Sequence, residues 1–496
     1  MPRIEWREWN PFHFDKAKHE NKPILLSISA NWCHWCHRMD SDTYAKDTIA
    51  EFVHKHFIPI RIDTDQRPDI NARYNAGGWP TAVVMDGNGI PLNYTLYLPE
   101  KPFFEFLYTS LEAFQELKVP SPMARPLLSE EPRQRTSTTA PVLTHDEYAG
   151  VETHFLALIK NQFDAQFGGF GNGQKFPHIE VLRFLVSRAE HFRDPEPDTV
   201  ILKTLDAIQS RGLCDKEEHG FFRYCTTREW SIPHFEKMLE DNAQLIEIFA
   251  RAARIYDRAD FRQTAENTFS FLEKRFKDPK TKLFFGSQNS DEHYYLLPAS
   301  ERAREKIPKM DSEIFSDWNA SAICSLAALN RPLDAQTQMN TLLEKTFSEK
   351  GIRHSLSEGN QQLLLKDHAW VLRALLMCAQ FNESEFMHTA EKLSEFTIEK
   401  FWNGEKKAFM DTHASAQAVG LLLEPLFPIA ENALMIENLL ALFKKLNQAK
   451  FENYARNAFA TFFPDYLHYG IFAVPYAEAA FQFKQLDSKR ANPKTE

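Results

Sequence analysis

The stretch ANWCHWCHRMD at residues 30–40 places Cys33 and Cys36 in a C-x-x-C spacing, with a histidine after each cysteine. Thiol–disulfide exchange, zinc binding and covalent haem attachment through C-x-x-C-H all use this spacing. The apolar run PILLSIS at 23–29 predicts a buried strand, and residues 38–57 follow a helical apolar pattern. We therefore expect the two cysteines at the junction of a strand and a helix.

A strand-to-helix junction favours thiol chemistry. The partial positive charge at a helix N-terminus stabilises a thiolate, and a protonated His34 or His37 would lower the thiol pKa further. A structural zinc site takes four ligands, and no second C-x-x-C or H-x-x-x-H pattern lies nearby. Haem attachment requires export, and nothing in the sequence directs the chain outward. We interpret Cys33 as the nucleophile and Cys36 as the resolving thiol, keep zinc and haem as alternatives, and assign no metal ligand.

The segments after the cysteines have the order of a thioredoxin fold. Strand patterns at 57–63 and 77–86 alternate with helical patterns, DGNG marks a hairpin turn, and 103–117 predicts a closing helix. A C-x-x-C beside a βαβ pattern is typical of thioredoxin-like proteins. Such folds also place a cis-proline before the third strand, facing the cysteines. By that resemblance we expect Pro80 to be cis and to belong to the catalytic site.

The composition excludes several classes of partner. The 496-residue chain carries a net charge of −10, whereas nucleic acids and anionic membranes select basic surfaces. The chain does not start with a secretory signal pattern, and no stretch approaches the ~18 apolar residues of a membrane span. We expect a cytoplasmic protein with no nucleic-acid partner, no membrane partner and no cofactor.

The chain divides into three parts by composition. We assign 1–120 to the thioredoxin-like domain and read 121–144, rich in Pro, Ser, Thr and Arg, as a linker. Helix-period segments dominate 145–490, and only short strand-like pieces interrupt them. We therefore expect a large helical domain after the linker.

A weak internal repeat runs through the helical part. Four helix starts carry an acidic residue and an amide or histidine before alanine: Asp241-Asn242-Ala243, Asp317-Trp318-Asn319-Ala320, Asp367-His368-Ala369 and Glu431-Asn432-Ala433. Ordinary N-capping explains any one of them. Four together favour equivalent helices in a closed ring, whose polar N-terminal ends converge on one central mouth.

This mouth is the expected second site. Its candidate residues are Lys175, Arg223, Trp230, His234, Glu236, Asp241, Asn242, Asp317, Asn319, Asp367 and His368. His234, Glu236 and Asp241 are the acid/base candidates. A glycine-rich loop at 164–178 is expected to carry Lys175 to the mouth.

Several segments together resemble a known family. They are KPILLSISANWCHWCHRMD, AGGWPTAVVMD, FGGFGNGQKFPH, FFRYCTTREWSIPHFEKMLEDNAQL, MDSEIFSDWNA and LKDHAWVL. They resemble the thioredoxin-domain proteins of the spermatogenesis-associated protein 20 type, and the resemblance fades after about residue 380. The family joins a thioredoxin-like domain to a six-hairpin toroid similar to N-acylglucosamine 2-epimerase and related glycosidases. The resemblance implies an α/β thioredoxin-like domain followed by a mainly-α, α/α toroid.

Three functions follow as hypotheses. The first is a thiol–disulfide oxidoreductase that uses Cys33 and Cys36 on a disulfide-bearing protein or a small thiol. The second is a carbohydrate-active enzyme, a sugar epimerase or glycoside hydrolase, with a sugar-like molecule in the toroid and Arg223 and Trp230 in contact with it. The third is a non-catalytic interaction scaffold.

Overall fold

The structure is a computed structural model that describes residues 3–116, 143–357, 362–413 and 418–491. Their backbone contacts divide them into two compact units. The first unit holds 3–116 and the described part of 412–426, and the second holds the other described residues. Residues 121–142 of the predicted linker at 121–144 lie outside the described residues. Within the described ranges, no helix combines the length and the apolar character needed to cross a membrane.

The first unit is a four-stranded sheet with helices. Its helices are α1 (Pro11–Glu20), α2 (His34–Met39), α3 (Asp47–His56), α4 (Pro68–Tyr74) and α5 (Glu100–Glu116). Its strands are β1 (Ile24–Ser29), β2 (Ile58–Asp63), β3 (Thr81–Met85) and β4 (Pro91–Thr95). The sheet order is β2-β1-β3-β4, with β1 parallel to β2 and antiparallel to β3. The predicted helix over 38–57 is interrupted by a π-helical turn at Asp40–Tyr44.

The two faces of this sheet bury separate cores. Successive side chains of a strand point to opposite faces, so β1 supplies both cores. Leu25 packs in one cluster, whereas Ile24, Leu26 and Ile28 pack in the other. A strand buried on both faces reads as a continuous apolar run, which is why 23–29 was recognisable.

The segment 418–426 belongs to the first unit, although the sequence assigned it to the helical domain. Val419, Leu421 and Leu422 pack against the core cluster that contains β1 residues. The Arg73 guanidinium donates to the Leu421 carbonyl at 2.9 Å, and the Leu421 N–H donates to Tyr74 Oη at 2.9 Å. The apolar residues of 418–426 do not recur with a helical period, so the sequence did not indicate that this segment packs in the first unit.

The second unit contains fourteen helices among its described residues. They are α6 (His145–Gln162), α7 (Ile179–Ala189), α8 (Pro195–Ser210), α9 (Leu239–Tyr256), α10 (Ala259–Arg275), α11 (Glu292–Leu296), α12 (Ala299–Arg302), α13 (Ser316–Ala328), α14 (Pro332–Thr346), α15 (Leu365–Cys378), α16 (Glu383–Phe401), α17 (Ile429–Leu446), α18 (Ala449–Phe462) and α19 (Val474–Ala491). The two-residue strands between them are β5 (Tyr224–Cys225), β6 (Pro233–His234), β7 (Lys237–Met238), β8 (Ser287–Gln288), β9 (Met310–Asp311), β10 (Phe347–Ser348), β11 (Gly351–Ile352), β12 (Trp402–Asn403) and β13 (Ala408–Phe409).

Helix contacts in the second unit close a ring. Following the contacts from α7, the inner helices run α9, α13, α15, α17 and α19, and α19 returns to α7. Each inner helix also packs against an outer one: α8, α10, α14, α16, α18 and α6, in the same order. Alternating outer and inner helices form helical hairpins in an α/α toroid.

Candidate functional site

Cys33 lies at the start of α2, four residues after β1 ends. Its backbone is extended, with φ −78° and ψ 116°, and its sulfur takes the capping place at the helix start. The Cys36 N–H donates to Cys33 Sγ at 3.2 Å. A backbone donor aimed at this sulfur favours its thiolate form over the neutral thiol.

The peptide bond between Trp79 and Pro80 is cis, as the thioredoxin resemblance implied. Thr81 pairs with Ile28 in the β1–β3 ladder, so Pro80 lies near the end of β1 from which the cysteine segment departs. The rings of Trp32 and Trp79 meet edge to face with centroids 5.7 Å apart. The cysteine segment and the cis-proline segment are therefore in contact through their tryptophans.

Hydrogen bonds around Cys36 set the acidity of its thiol. Burial raises the pKa of Cys36, but hydrogen bonds with Cys33, Ala30 and Ser29 outweigh burial and lower it below its ordinary value. The sequence predicted an acidic thiol from the positive charge and free N–H groups of a helix N-terminus, and from a protonated His34 or His37. In the structure, the lowered pKa of Cys36 follows from these three hydrogen bonds.

Aromatic side chains shield the cysteine pair. Cys33 is 5% exposed and Cys36 2%, whereas Trp35 between them is 46% exposed. The indole of Trp32 donates to Asp65 Oδ2 at 2.7 Å, and the Trp35 ring lies 5.0 Å from that of Tyr97. Both cysteines are nearly inaccessible in this conformation, so a disulfide substrate reaches Cys33 only after a local rearrangement.

In four neighbouring inner helices of the second unit, the fourth residue of the helix hydrogen-bonds the backbone of another segment through its side chain. We call these four residues the backbone clamps. Asn242 bonds the Phe221 backbone, Asn319 that of Phe284, His368 that of Ile352 and Asn432 that of Phe409. The N-caps of these helices are other residues, without side-chain cap bonds, so the N-capping alternative is wrong.

Five predicted pocket residues have structural roles instead. Asn242, Asn319 and His368 are fully buried clamps. Lys175 is also fully buried, and its ammonium donates to Asp164 at 2.9 Å and to the Gly171 carbonyl at 2.6 Å. The buried Trp230 indole donates to the Gly168 carbonyl at 3.3 Å. Because the polar atoms of these five residues form hydrogen bonds within the protein, the five are not part of the candidate site.

Charged residues gather one and two positions before the clamps. Lys366, the second residue of α15, bonds Glu240 on α9 at 2.8 Å and Asp317 on α13 at 3.1 Å. Burial alone would lower the pKa of Lys366, but these two carboxylates raise it well above its ordinary value. Glu240 and Asp317 are themselves second residues of their helices, so equivalent positions converge as the repeat predicted.

Asp241, in this cluster, has a pKa well above that of an ordinary carboxyl group. Burial, reinforced by Glu240, raises the pKa of Asp241 to about 7, and the charge of Arg223 opposes that rise. The acid/base candidates His234 and Glu236 pair with each other, with His234 Nδ1 at 2.5 Å from Glu236 Oε2. The His234 ring stacks on Tyr224 at 4.9 Å.

Asp367, the third residue of α15, pairs with a histidine that sequence reasoning missed. His354 Nδ1 lies 3.0 Å from both carboxylate oxygens of Asp367. His354 stands outside the repeat, whereas Glu240 and Lys366 could have been found from their places two residues before the clamps.

Comparisons with known proteins agree with this architecture. Residues 1–119 match the family described as "Protein of unknown function, DUF255", under the name Thioredox_DsbH. The chain is 28% identical over 313 residues to spermatogenesis-associated protein 20 of Rattus norvegicus, and 26% identical over 475 residues to that of Mus musculus. In both parts the chain is similar to proteins of the spermatogenesis-associated protein 20 type. The matches cover 58% and 88% of this chain, but only 39% and 57% of the rat and mouse proteins.

Two further matches concern the separate parts of this spermatogenesis-associated protein 20-like chain. Disulfide bond reductase DsbH of Chlamydia pneumoniae is 22% identical over 98 residues, covering 17% of this chain and 58% of that protein. The structure of cellobiose 2-epimerase from Spirochaeta thermophila superimposes with a TM-score of 0.55 at 11% identity, covering 69% of this chain and 97% of the epimerase. The predicted thioredoxin-like part and α/α toroid are thereby confirmed as folds.

Proposed function

We propose that this protein catalyses thiol–disulfide exchange, with Cys33 as the attacking thiolate and Cys36 as the resolving thiol. The observation that carries the proposal is the N–H of Cys36 aimed at Cys33 Sγ at 3.2 Å, in a helix-start position. The nearby cis-proline segment and the name of the chlamydial relative, a disulfide bond reductase, support it.

The exchange consumes one disulfide and two thiols. The Cys33 thiolate attacks one sulfur of the substrate disulfide, which forms a mixed disulfide and releases the other sulfur as a thiolate. The released thiolate or solvent takes the proton of Cys36, and the Cys36 thiolate then attacks Cys33 Sγ. This step forms the Cys33–Cys36 disulfide and releases the second substrate thiol. A small-molecule thiol, such as dithiothreitol in the assay, supplies two electrons and restores the pair.

Reduction of insulin tests the proposal. With dithiothreitol as reductant, the full chain should accelerate precipitation of the insulin B chain, and Cys33→Ser should abolish the acceleration. Cys214→Ser is the matched control, because Cys214 is half-buried in the second unit, and it should act as wild type. Equal rates for wild type and Cys33→Ser would refute the proposal.

The acidity of Asp241 favours a second function in the toroid. A carboxyl group with a pKa near 7 serves as a general acid or base at neutral pH. The epimerase likeness supports only the fold, so the ligand class is taken from the polar cluster itself: a hydroxylated, sugar-like molecule. A panel of mono- and disaccharides should contain one that raises the melting temperature of wild type but not of Asp241→Asn. A panel without such a sugar would leave the toroid in the third role, a scaffold.

A further inference from the structure

Three buried side chains of the second unit gather as potential metal ligands. Asp317 is the second residue of α13, Asp367 is the third residue of α15, and His354 lies in the loop after β11. One ligand atom from each lies within 4.8 Å of the others. The three side chains are 2%, 0% and 3% exposed, so no solvent shell dilutes their charge.

One carboxylate oxygen in this group lacks a partner. Asp317 Oδ2 takes the ion pair with Lys366 at 3.1 Å. Asp317 Oδ1 is buried and has no hydrogen-bond partner among the described residues. An unsatisfied buried carboxylate oxygen is costly, so its persistence requires a compensating group. A cation bound by the three side chains would supply that compensation.

The distances between His354 and Asp367 suit coordination. Imidazole and carboxylate ligands bind zinc at about 2.0–2.2 Å, so neighbouring ligand atoms stand about 3 Å apart. His354 Nδ1 is 3.0 Å from each oxygen of Asp367. A hydrogen bond gives the same distance, but it leaves Asp317 Oδ1 unexplained.

The local charge also favours a divalent cation. Lys366 pairs with the carboxylates of Asp317 and Glu240, and Asp367 offers a further carboxylate oxygen within 4.8 Å of the ligand atom of Asp317. A divalent cation would add positive charge to this carboxylate-rich group. One nitrogen and two carboxylate donors suit a borderline transition metal better than the all-oxygen preference of magnesium or calcium.

We propose that Asp317, His354 and Asp367 bind one divalent transition-metal ion of the zinc class. The sequence assigned no metal ligand, because His354 and the two aspartates share no short ligand spacing. This site lies in the toroid and is independent of thiol exchange.

Zinc titration of the full chain tests the proposal. The titration uses the Cys33→Ser/Cys36→Ser protein, stripped with a chelator, so that the C-x-x-C pair contributes no zinc binding. We expect one equivalent of Zn²⁺ per chain by calorimetry and by elemental analysis after dialysis. Co²⁺ should give a visible absorption spectrum that Zn²⁺ abolishes.

Single-ligand variants in the same background decide the assignment. Asp317→Asn and His354→Gln should each weaken zinc binding by more than about tenfold. Glu431→Gln is the matched control, since Glu431 holds in α17 the helix position that Asp367 holds in α15, and it should bind as the parent does. If Asp317→Asn does not fold, His354→Gln decides alone. Absence of stoichiometric zinc in the parent, or unchanged affinity in His354→Gln, would overturn the proposal.

Discussion

Replacing Asn319 by alanine should severely destabilise the toroid. Its side-chain amide makes three hydrogen bonds, accepting from the Phe284 N–H at 2.8 Å and donating to the carbonyls of Phe284 at 3.0 Å and Phe315 at 2.9 Å. Each bond contributes about 1 kcal/mol, and the stranded Phe284 N–H adds a penalty of about 1–3 kcal/mol. The expected loss is about 4–6 kcal/mol of the free energy of unfolding.

Scanning calorimetry with circular dichroism measures this loss. For a unit of this size, 4–6 kcal/mol corresponds to a fall of about 6–9 °C in the transition of the helical unit. Asn267→Ala is the matched control, because Asn267 is half-buried on α10 and its side chain accepts one bond, from Gln263. That variant should stay within about 0.5 kcal/mol of wild type. If the two variants lower the transition equally, the clamp does not hold the ring together.

Three further predictions concern the two units separately. Cys33→Ser removes the sulfur that lowers the pKa of Cys36, so alkylation of Cys36 by iodoacetamide should slow at neutral pH and its midpoint should move to higher pH. Arg73→Ala removes two bonds to backbone carbonyls of 418–426, so proteolysis within that segment should become faster, whereas an unchanged rate would contradict this packing. The pKa of Asp241 is about 7 in the folded protein, above its value in the unfolded chain. The ionised carboxylate therefore destabilises the fold increasingly as pH rises from about 4 to 7, and this effect is complete above 7. Asp241→Asn should therefore match wild type at pH 4 and exceed its stability at pH 8, by at most about 4 kcal/mol; a gap that does not change with pH would refute the shift.

Local patterns predicted the first unit well. The buried strand before Cys33 follows from an apolar run of neighbouring residues, and the cis peptide at Pro80 follows from the resemblance to thioredoxin folds. The packing of 418–426 against the same core could not be predicted, because it depends on contacts between residues more than three hundred positions apart. The hydrogen bonds from Ala30 and Ser29 that lower the pKa of Cys36 were not predicted, because they depend on how the chain folds at the end of β1.

The repeat in the toroid could be recognised in the sequence, but the role of its side chains could not be predicted. Sequence spacing placed Asn319 and His368 at equivalent helix starts, and the structure shows them in one ring. Whether such a side chain faces the mouth or bonds the backbone depends on the hairpin packed beside it. The position of Lys366 could have been found from the repeat, but its ion pairs with Glu240 and Asp317 depend on how the neighbouring helices pack.

A redox titration of Cys33 and Cys36 is the most direct test of whether this protein exchanges thiols for disulfides. The full chain is equilibrated with glutathione at graded ratios of reduced to oxidised form, quenched with acid, alkylated and analysed by peptide mass spectrometry. We expect a reversible intramolecular disulfide between Cys33 and Cys36, formed with the loss of two hydrogens and absent in Cys33→Ser. A pair that stays alkylatable at every ratio, or that forms only irreversible oxidation products, would contradict the claim that this protein exchanges thiols for disulfides.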